Sequence, residues 1–566
     1  MAIQKIKRRE LKLDKQTKTK FNLIAIVCII IFSIAITPVT LQNDTFYTIK
    51  IGEHILNTGA IDMSQDPFSI HEIPYTYPHW LYDVGIYLIY QAGGMTGIYI
   101  STVILACILG VTVYLTNKKI VKNELVSFLL TLGVMYILTV FIAARAQLVT
   151  FTLFALGIYF IERFLETKKK RYAVALVLIP IVIANIHLAV WPFYFIIFLP
   201  YIAEYLIVLI SDSHLFYKAQ CKFYDDKIKK LEKRLSKEEN KDKLNEKIYK
   251  VKEMQNKIKE NFEDFVSKQA KRRENPYRIK MQRNDAAKWL ILIVIICAFT
   301  GLLTPLGDTP YTYLIKTMQG NTTKSISEHL PMVLIETETA LAIIITVLAI
   351  LIFTDTKIRL KDFFMLGGLI LLALMSRRQL SMLTLLGVYS INRLICDLFN
   401  KYDPQGTTKF MKSITSGFGA VITILLVILI SVVEYKPKIG AKYISESSYP
   451  VKAVEWLKEN VNTEEMRLYN EYNYGSYILM QDVKVFIDSR ADLYTPEFNG
   501  NENLDIFTDA VQTASVSKYY EDTFDKYDIT HLLIPTNGKS NMFISKDENY
   551  EELYKDDHFV IYLRIK

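Results

Sequence analysis

The feature that most constrains this chain is a series of apolar runs, each about 20 residues long. A helix of that length crosses the hydrocarbon core of a bilayer, which is about 30 Å thick. A hydrophobic content of 51% and a mean hydropathy of +0.19 over 566 residues exclude a single soluble domain. We therefore predict a polytopic α-helical membrane protein.

The apolar runs predict about 11 membrane spans. Their approximate ranges are 21–39, 97–116, 124–143, 147–165, a fifth that ends near Asn185, 190–210, 288–306, 338–354, 362–376, 380–396 and 413–433. The first run follows a basic N-terminal segment and lacks a small-residue cleavage pattern. It therefore predicts an uncleaved span rather than a removed signal peptide.

Basic residues lie beside these runs, mainly at the ends that the positive-inside rule places in the cytoplasm. The rule predicts a multi-pass protein of the plasma membrane with a cytoplasmic N-terminus. Eleven crossings then place the C-terminal region outside. The net charge of +9 arises from these flanks and from one inserted segment, so it does not indicate a nucleic-acid partner.

The inserted segment, residues 212–288, is dense in Lys and Glu. Its apolar residues with heptad spacing are Ile228, Leu231 and Leu235 before the polar stretch KEENKDK, and Ile248, Val251, Ile258, Phe262 and Phe265 after it. This pattern predicts a cytoplasmic antiparallel coiled-coil hairpin. Three roles stay open: a solvated arm, a docking site for a cytoplasmic partner, or a basic face on anionic lipid headgroups.

The hairpin separates an N-terminal transmembrane bundle, residues 1–211, from a C-terminal bundle, residues 289–434. Residues 435–566 are polar and mixed in charge. A helix is expected at 450–461, strands at 467–469, 483–488, 530–535 and 559–565, and a helical stretch at 504–526. Strands that alternate with helices predict an extracytoplasmic α/β domain with a core of its own.

The five cysteines do not form an extracellular disulfide framework. Four of them fall in predicted spans and Cys221 opens the inserted segment, so the external regions hold none. No His/Cys cluster has the spacing of a zinc site. No cofactor is assigned, and a divalent metal is left open without support from the sequence.

The first external loop, residues 40–80, is too long and too rich in aromatic residues to be a simple connector or a disordered segment. Asp44 lies within a few residues of the predicted membrane boundary, where a carboxylate requires a partner or a task. Asp followed by Thr is also a good helix N-cap. The residues therefore leave catalysis and capping open for Asp44.

Further polar residues fall at the external ends of the predicted spans, namely Arg145, Asn185, His187, Glu328, Arg377 and Arg378. Arginine is disfavoured on the external side, so the three arginines call for an anionic partner. A lipid-linked phosphate or pyrophosphate sugar provides one, and the planar guanidinium suits phosphate oxygens. Phospholipid headgroups are the alternative partner, and His187 is alternatively a hydrogen-bonded core residue.

Several short motifs are shared with one known superfamily. They are Asp44, Phe46-Tyr47, Gly52, Gly59, Asp66-Pro67-Phe68-Ser69, Trp80-Leu81, the Arg-x-Gln start at Arg145, Asn185-Ile186-His187, Pro305-Leu306-Gly307 and Asp488-Ser489-Arg490-Ala491-Asp492-Leu493-Tyr494. Together they resemble a bacterial branch of the polyprenol-dependent, multi-spanning glycosyltransferases, the GT-C superfamily. The resemblance covers nearly the whole chain except the hairpin.

The resemblance implies a catalytic base at Asp44, with Arg145, His187, Arg377 and Arg378 as candidates for the donor phosphate. Supporting or substrate-binding candidates are Asn185, Glu328, Asp66 and Trp80. Acceptor-domain candidates are Tyr474, Asp488, Arg490 and Asp492, of which the last three are alternatively an internal ion network. The chain departs from the family at His79, where relatives commonly carry Glu, and at His329, which follows Glu328 in place of Trp.

The leading hypothesis is an inverting glycosyltransferase with its site on the extracytoplasmic face. It would use a polyprenyl-phosphate-linked sugar to glycosylate a cell-envelope acceptor, either a glycan or a protein. The alternative is a non-catalytic membrane scaffold or carrier for lipid-linked glycans in cell-surface polysaccharide assembly. Fold alone does not decide between them.

Overall fold

The computed structural model describes residues 14–236, 241–274 and 279–565. The basic segment at 1–13 and the polar residues at 237–240, where the turn of the hairpin is predicted, lie outside the described residues. Within them, eight helices are long and apolar enough to cross a membrane. These are Lys15–Ile36, Trp80–Val121, Glu124–Phe141, Ala146–Thr167, Leu188–Leu235, Asp285–Leu302, Arg377–Tyr402 and Gly417–Lys438. The chain is a multi-pass membrane protein.

The remaining predicted spans correspond to shorter helices of 17, 16 and 16 residues at Lys170–Ile186, Glu338–Phe353 and Leu360–Met375. The total of about 11 spans stays a prediction. The first eleven α-helices are α1 (Lys15–Ile36), α2 (Asn43–Thr58), α3 (Trp80–Val121), α4 (Glu124–Leu138), α5 (Ala146–Thr167), α6 (Lys170–Ile186), α7 (Leu199–Ser213), α8 (Leu215–Leu235), α9 (Lys241–Glu274), α10 (Lys288–Ala298) and α11 (Thr309–Gln319).

The chain continues with α12 (Thr322–Ser325), α13 (Glu338–Phe353), α14 (Leu360–Met375), α15 (Leu380–Tyr402), α16 (Gly406–Thr415), α17 (Gly417–Tyr435), α18 (Val451–Asn460), α19 (Gly475–Met480), α20 (Pro496–Asn499), α21 (Ile506–Ser515), α22 (Tyr520–Lys526) and α23 (Asn541–Ile544). Short 3₁₀ helices lie at Thr139–Phe141, Leu188–Phe198, Asp285–Ala287, Phe299–Leu302, Leu334–Glu336, Arg377–Gln379, Lys436–Lys438, Tyr472–Tyr474 and Ala491–Tyr494.

Local sequence explains several helix boundaries. The Asp14 carboxylate accepts from the Thr17 amide at 3.3 Å at the start of α1, and Asn123 caps α4 in the same way. In α3, Gly94 adopts φ 58° and ψ −151°, which only glycine tolerates well. The first part of α3 therefore bends away from the membrane-spanning part at this residue.

A large apolar core joins the membrane helices α1, α3, α4, α5, α6 and α15. A second core lies at one end of this bundle, and residues of the first loop and of the C-terminal unit both contribute to it. The C-terminal unit therefore shares its buried core with residues of the first loop. In particular, Phe46 of α2 packs edge-on against Tyr449 and Tyr477, with ring centroids 4.9 and 5.5 Å away.

The C-terminal unit contains a four-stranded mixed sheet, ordered β5 (Leu468–Asn470), β6 (His531–Pro535), β8 (Phe559–Arg564) and β7 (Tyr550–Lys555). Strands β5 and β6 are parallel and the other pairs are antiparallel. The strand expected at 483–488 is wrong, because Val485 exchanges its backbone hydrogen bonds with Phe68 and Ile70 of the first loop. The helical stretch at 504–526 is divided into α21 and α22.

Two further strand pairs are short. Strands β1 (Asp62–Met63) and β2 (Tyr75–Thr76) are antiparallel within the first loop. Strands β3 (Ile279–Lys280) and β4 (Ile358–Arg359) are parallel, and they join the segment after α9 to the start of α14.

Helices α8 and α9 pack against each other in antiparallel orientation. The side chain of Gln255 donates to Asp225, and Lys252 pairs with Glu232 at 3.1 Å. Nearer the bundle, the rings of Tyr217 and Phe262 lie 5.2 Å apart. The buried residues between the helices are Ile228, Leu244, Ile248, Val251 and Gln255. Phe265, which was also expected in this interface, lies with its ring 5.2 Å from that of Tyr217 and is 40% exposed.

Candidate active site

Asp44 and Arg145 form an ion pair at the end of the bundle that faces the C-terminal unit. Asp44 lies in the first turn of α2, and Arg145 immediately precedes α5. The Arg145 Nη2 and Asp44 Oδ2 atoms are 2.6 Å apart, and the two side chains are 26% and 21% exposed. The pair is therefore open to a ligand on one side. Asp44 does not cap α2, because Gln42 holds the N-cap position.

Arg378 and Glu328 extend this charged group. The Arg378 amide donates to the Glu328 carbonyl at 2.9 Å, which fixes the loop that carries Glu328 beside Arg378. Arg378 interacts electrostatically with Arg145, Glu328 and Asp44. Two guanidinium groups are thus close enough to repel each other. An anion bound between them would offset that repulsion.

Arg377 lies apart from this group, although it neighbours Arg378 in sequence. Its guanidinium forms an exposed ion pair with Glu336 at 3.3 Å, and the two side chains are 42% and 62% exposed. An ion pair with that exposure contributes little to stability. Sequence reasoning predicts the same role for both arginines, whereas their side chains have different surroundings.

His187 is buried near the same end of the bundle. Its Nδ1 atom lies 3.3 Å from the Thr150 hydroxyl, and its ring lies 6.1 Å from the ring of His79. His79 in turn lies 3.6 Å from the buried Asp83 carboxylate. The arrangement contains features of both interpretations of His187, because the residue is hydrogen-bonded in the core and adjoins the charged group.

Asn185 and Trp80 have a shared positioning role. The Trp80 indole N–H donates to Asn185 Oδ1 at 3.3 Å, and Asn185 Nδ2 donates to the carbonyls of Ile181 and Leu303. These bonds connect the start of α3 to the end of α6 and to the loop after residue 302. They hold the peptide that carries His187 in place.

Asp66, Arg490 and Asp488 form a fully buried ion network. Arg490 donates to both oxygens of Asp66 at 2.7 and 3.0 Å and to both oxygens of Asp488 at 2.7–3.1 Å. None of these side chains has exposed surface. The Tyr494 hydroxyl also donates to Asp488 at 2.7 Å. The burial favours the internal-network interpretation over an acceptor role for Asp488 and Arg490.

Asp492 connects the C-terminal unit to the second large loop. It accepts from Tyr313 at 2.7 Å, from Thr322 at 3.3 Å and from Thr317 at 3.4 Å. Burial raises the pKa of Asp492, and these three hydrogen bonds oppose the increase. Asp492 also interacts electrostatically with Arg378, so it borders the charged group.

Tyr474 lies away from the charged group, inside the C-terminal unit. Its hydroxyl donates to the Leu533 carbonyl at 2.7 Å, and its ring packs edge-on against Phe559. With 3% exposure, Tyr474 has a structural environment. His329 is nearer the charged group, where burial and the Arg378 cation lower its pKa to about 4 against the weaker opposing effect of Glu328.

A metal-binding group is absent from the described part of the chain: no three His, Cys, Asp or Glu residues there are arranged to hold an ion. Sequence reasoning missed Asp83, Tyr313, Thr317 and Thr322. The spacing of His79 and Asp83 by four residues at the start of a helix was the available signal for the first. The others bind Asp492 across about 175 residues, and no local pattern predicts such a contact.

No family model and no curated protein matches the chain. Among solved structures, it is similar to the Archaeoglobus fulgidus oligosaccharyltransferase in the apo form, with 10% identity and a TM-score of 0.52 over 92% of this chain and 70% of that chain. The archaeal oligosaccharyltransferase AglB from Archaeoglobus fulgidus, in complex with an inhibitory peptide and a dolichol-phosphate, gives 11% identity and a TM-score of 0.49 over the same shares. ArnT from Cupriavidus metallidurans bound to undecaprenyl phosphate gives 10% identity and 0.47 over 97% and 98%.

The first of these likenesses shows that the chain has the fold of that oligosaccharyltransferase. The prediction of a polytopic α-helical membrane protein is thereby confirmed, whereas the count of about 11 spans and the coiled-coil hairpin stay predictions. The chain spans about 70% of the length of that oligosaccharyltransferase. At 10% identity the likeness concerns the fold alone.

Proposed function

We propose that the protein is an inverting glycosyltransferase that uses a polyprenyl-phosphate-linked sugar and modifies a cell-envelope glycan or protein on the extracytoplasmic face. The observation that carries the proposal is the group formed by Asp44, Arg145, Arg378 and Glu328 at one end of a membrane bundle. This group places a carboxylate beside two cations. The chain that carries it shares its fold with an oligosaccharyltransferase.

In this proposal Asp44 is the general base. Its Oδ2 atom contacts Arg145, and its side chain keeps 21% of its surface exposed. A carboxylate so placed can accept the proton of an acceptor hydroxyl or amide as that group attacks the anomeric carbon. Attack from the face opposite the phosphate breaks the sugar–phosphate bond and inverts the configuration. A well-placed base contributes typically 10²–10⁴-fold, taken as an order of magnitude.

Arg145 and Arg378 would stabilise the departing phosphate. Arg145 has five N–H donors, and its contact with Asp44 uses only one nitrogen. The remaining donors can form bonds with phosphate oxygens while the contact with Asp44 persists. Arg378 would provide the second positive group. Preorganised cations of this kind stabilise charge that develops in the transition state.

His187 and Asp492 would complete the walls of this site. His187 approaches from the junction of α6 and the following 3₁₀ helix, next to His79. Asp492 approaches from the C-terminal unit, where Tyr313 and two threonines hold it. The acceptor would therefore bind between the bundle and the C-terminal unit.

The proposal is tested by donor binding to two neighbouring variants. Purified protein in detergent is heated with polyprenyl-phosphate and polyprenyl-pyrophosphate sugars, with the bare lipid phosphates as controls. A ligand at about 100 times its Kd stabilises the native state by roughly 2.7 kcal/mol. We expect Arg378→Gln to lose this stabilisation and Arg377→Gln to retain it, because only Arg378 adjoins the Asp44–Arg145 pair.

Two results would contradict the proposal. One is an equal response of both variants, which would remove the specific role of Arg378. The other is no stabilisation of the parent protein by any lipid-linked sugar, which would favour the non-catalytic scaffold or carrier.

A further inference from the structure

The helical arm formed by α8 and α9 has an outer surface that the proposed transfer reaction does not use. Residues 215–274 contain 19 Lys or Arg against 12 Asp or Glu, which accounts for most of the chain's net charge of +9. The apolar contacts between the two helices are few, so most of the arm's surface is free of intramolecular packing. Such a concentration of positive charge favours an anionic partner.

Helix α8 has two distinct faces. The less exposed side faces α9 and consists of Tyr217, Cys221, Tyr224, Ile228, Leu231 and Leu235. A second side lies about 110° around the helix axis from the first, at 3.6 residues per turn. We call it the basic face, and it consists of Phe216, Phe223, Lys227, Lys230 and Arg234, spaced by seven, four, three and four residues. That spacing places the five side chains on one stripe of a helix.

The basic face combines exposed aromatic rings with cations. Phe216 and Phe223 are 69% and 62% exposed, and the adjacent Leu215 is 62% exposed. Lys227, Lys230 and Arg234 are exposed and have no ion pair with another described residue. Two exposed phenylalanines on an otherwise polar helix are costly in water, since each buries a large apolar area when it finds a partner.

The position of Phe216 and Phe223 in the chain indicates that the membrane surface is the partner of these two exposed rings. Helix α8 follows the apolar helix α7 directly, and His214 between them adopts φ 49° and ψ 38°. This left-handed residue interrupts the helical backbone, so α8 changes direction where α7 ends. Phe216 and Phe223 thus lie within one to three turns of a membrane helix, which is the depth of the lipid headgroups.

We propose that the basic face of α8 rests on anionic phospholipids of the membrane that holds the protein. Phe216 and Phe223 would insert between the headgroups, and Lys227, Lys230 and Arg234 would lie over the lipid phosphates. An amphipathic basic helix with aromatic residues binds an anionic surface in this way. The inference does not depend on the proposed glycosyl transfer.

Helix α9 also has exposed lysines, which give a matched control. Lys243, Lys247 and Lys257 are exposed and are not among the buried residues between the two helices. None of them has a phenylalanine within one helical turn in the sequence. Equal charge changes in the two sets of residues therefore separate a specific lipid-binding face from a general effect of net charge.

The test uses tryptophan fluorescence of the full chain in vesicles. Phe223→Trp is reconstituted into phosphatidylcholine vesicles that contain brominated lipid, with or without phosphatidylglycerol, and the signal of the parent protein is subtracted. We expect strong quenching by brominated lipid and weak quenching by aqueous acrylamide when phosphatidylglycerol is present. Because screening weakens contacts between charges and lipid, high salt should reverse this result.

The charge variants sharpen the test. Each cation near an anionic surface contributes roughly fivefold to binding. Lys227→Ser, Lys230→Ser and Arg234→Ser together should therefore lower the equilibrium constant for binding of α8 to the lipid surface by about a hundredfold. Lys243→Ser, Lys247→Ser and Lys257→Ser together should leave quenching unchanged.

Two outcomes would overturn the proposal. In the first, the introduced tryptophan stays accessible to acrylamide in every vesicle. That result would favour a soluble acidic protein as the partner of the basic face. In the second, both triple variants reduce quenching equally, which would indicate net charge alone. Because all six substituted residues are exposed, a loss of folding does not confuse the comparison.

Discussion

Asp44 is the side chain whose chemistry the proposed transfer requires. Replacing it with Asn keeps its size and removes its capacity to take a proton. We expect Asp44→Asn to lower the rate of sugar transfer by about 10²–10⁴-fold, with donor binding retained through Arg378. The measurement is transfer of a labelled sugar from the donor that stabilises the parent protein. Glu336→Gln, which changes the exposed partner of Arg377, is the control and should transfer at the parental rate.

Glu471 should make the stability of the C-terminal unit dependent on pH. Burial raises its pKa from 4.5 to about 7, against a hydrogen bond from Ser540. Because the folded state favours the protonated carboxyl, stability is full below about pH 4.5 and decreases as pH rises through 7. The loss at higher pH is roughly 3 kcal/mol.

Glu471→Gln should remove this pH dependence, since its amide stays neutral while it can still accept from the Tyr474 amide. Thermal unfolding should show equal stability of variant and parent near pH 4.5, and a more stable variant at pH 8. A parallel decline of both proteins between pH 5 and 8 would assign the effect to another group.

Sequence reasoning selected most residues of the candidate site, but it did not predict which of them contact each other. Asp44 and Arg145 were both selected because charges near a membrane boundary require partners, but their pairing depends on how α2 and α5 pack. Arg377 and Arg378 are chemically identical, so only their positions at the end of α14 distinguish them. Asp83 was missed because an acidic residue in the first turn of a helix is common for electrostatic reasons.

Helix α2 owes its position to Gly52. A methyl group at Gly52 would lie 2.1 Å from the Asp83 carbonyl oxygen of α3, a backbone atom that cannot move aside. We expect Gly52→Ala to separate the two helices, lower stability by about 1–3 kcal/mol and displace Asp44. Thermal unfolding and the transfer rate should both decrease.

Gly85→Ala is the matched control in α3, because nothing lies within 4 Å of its added methyl group. Alanine is the better helix former by about 1 kcal/mol, so this variant should be as stable as the parent or more stable. Equal losses in the two variants would show that the contact between α2 and α3 is not the cause.

Elements with a strong apolar period were predicted well, and elements that depend on distant contacts were not. The membrane helices follow from composition and length alone. Residues 483–488 have the composition of a strand, yet their backbone pairs with the first loop rather than with the sheet. Strand β7 was missed because half of its residues are charged and because, among the described residues, it pairs with β8 alone at the edge of the sheet.

At the scale of the whole molecule, Arg490 of the C-terminal unit connects that unit to the first loop through its hydrogen bonds to Asp66. Removing one partner of a buried ion network leaves the others uncompensated, at a cost of about 3–5 kcal/mol. We therefore expect Arg490→Ala to unfold at lower temperature and to expose the loop at 43–80 to protease. Glu446→Gln breaks exposed ion pairs with Lys442 and Lys452 and should unfold at nearly the same temperature as the parent, because exposed ion pairs contribute little.

If Arg490→Ala does not accumulate, Asp66→Asn provides a milder change at the same network, since its amide can still accept one bond from Arg490. Stability like that of the parent in both variants would show that apolar packing alone holds the loop.

The bond between Asp66 and Arg490 joins residues 424 positions apart, and this separation has a consequence for biosynthesis. A ribosome makes Asp44 and the loop around it long before it makes Arg490. During that interval the loop lacks its partner, so the candidate site stays incomplete while the membrane helices are inserted. Since domains fold as they emerge, with distant contacts forming last, a nascent chain stopped before residue 490 would be inserted in the membrane and inactive.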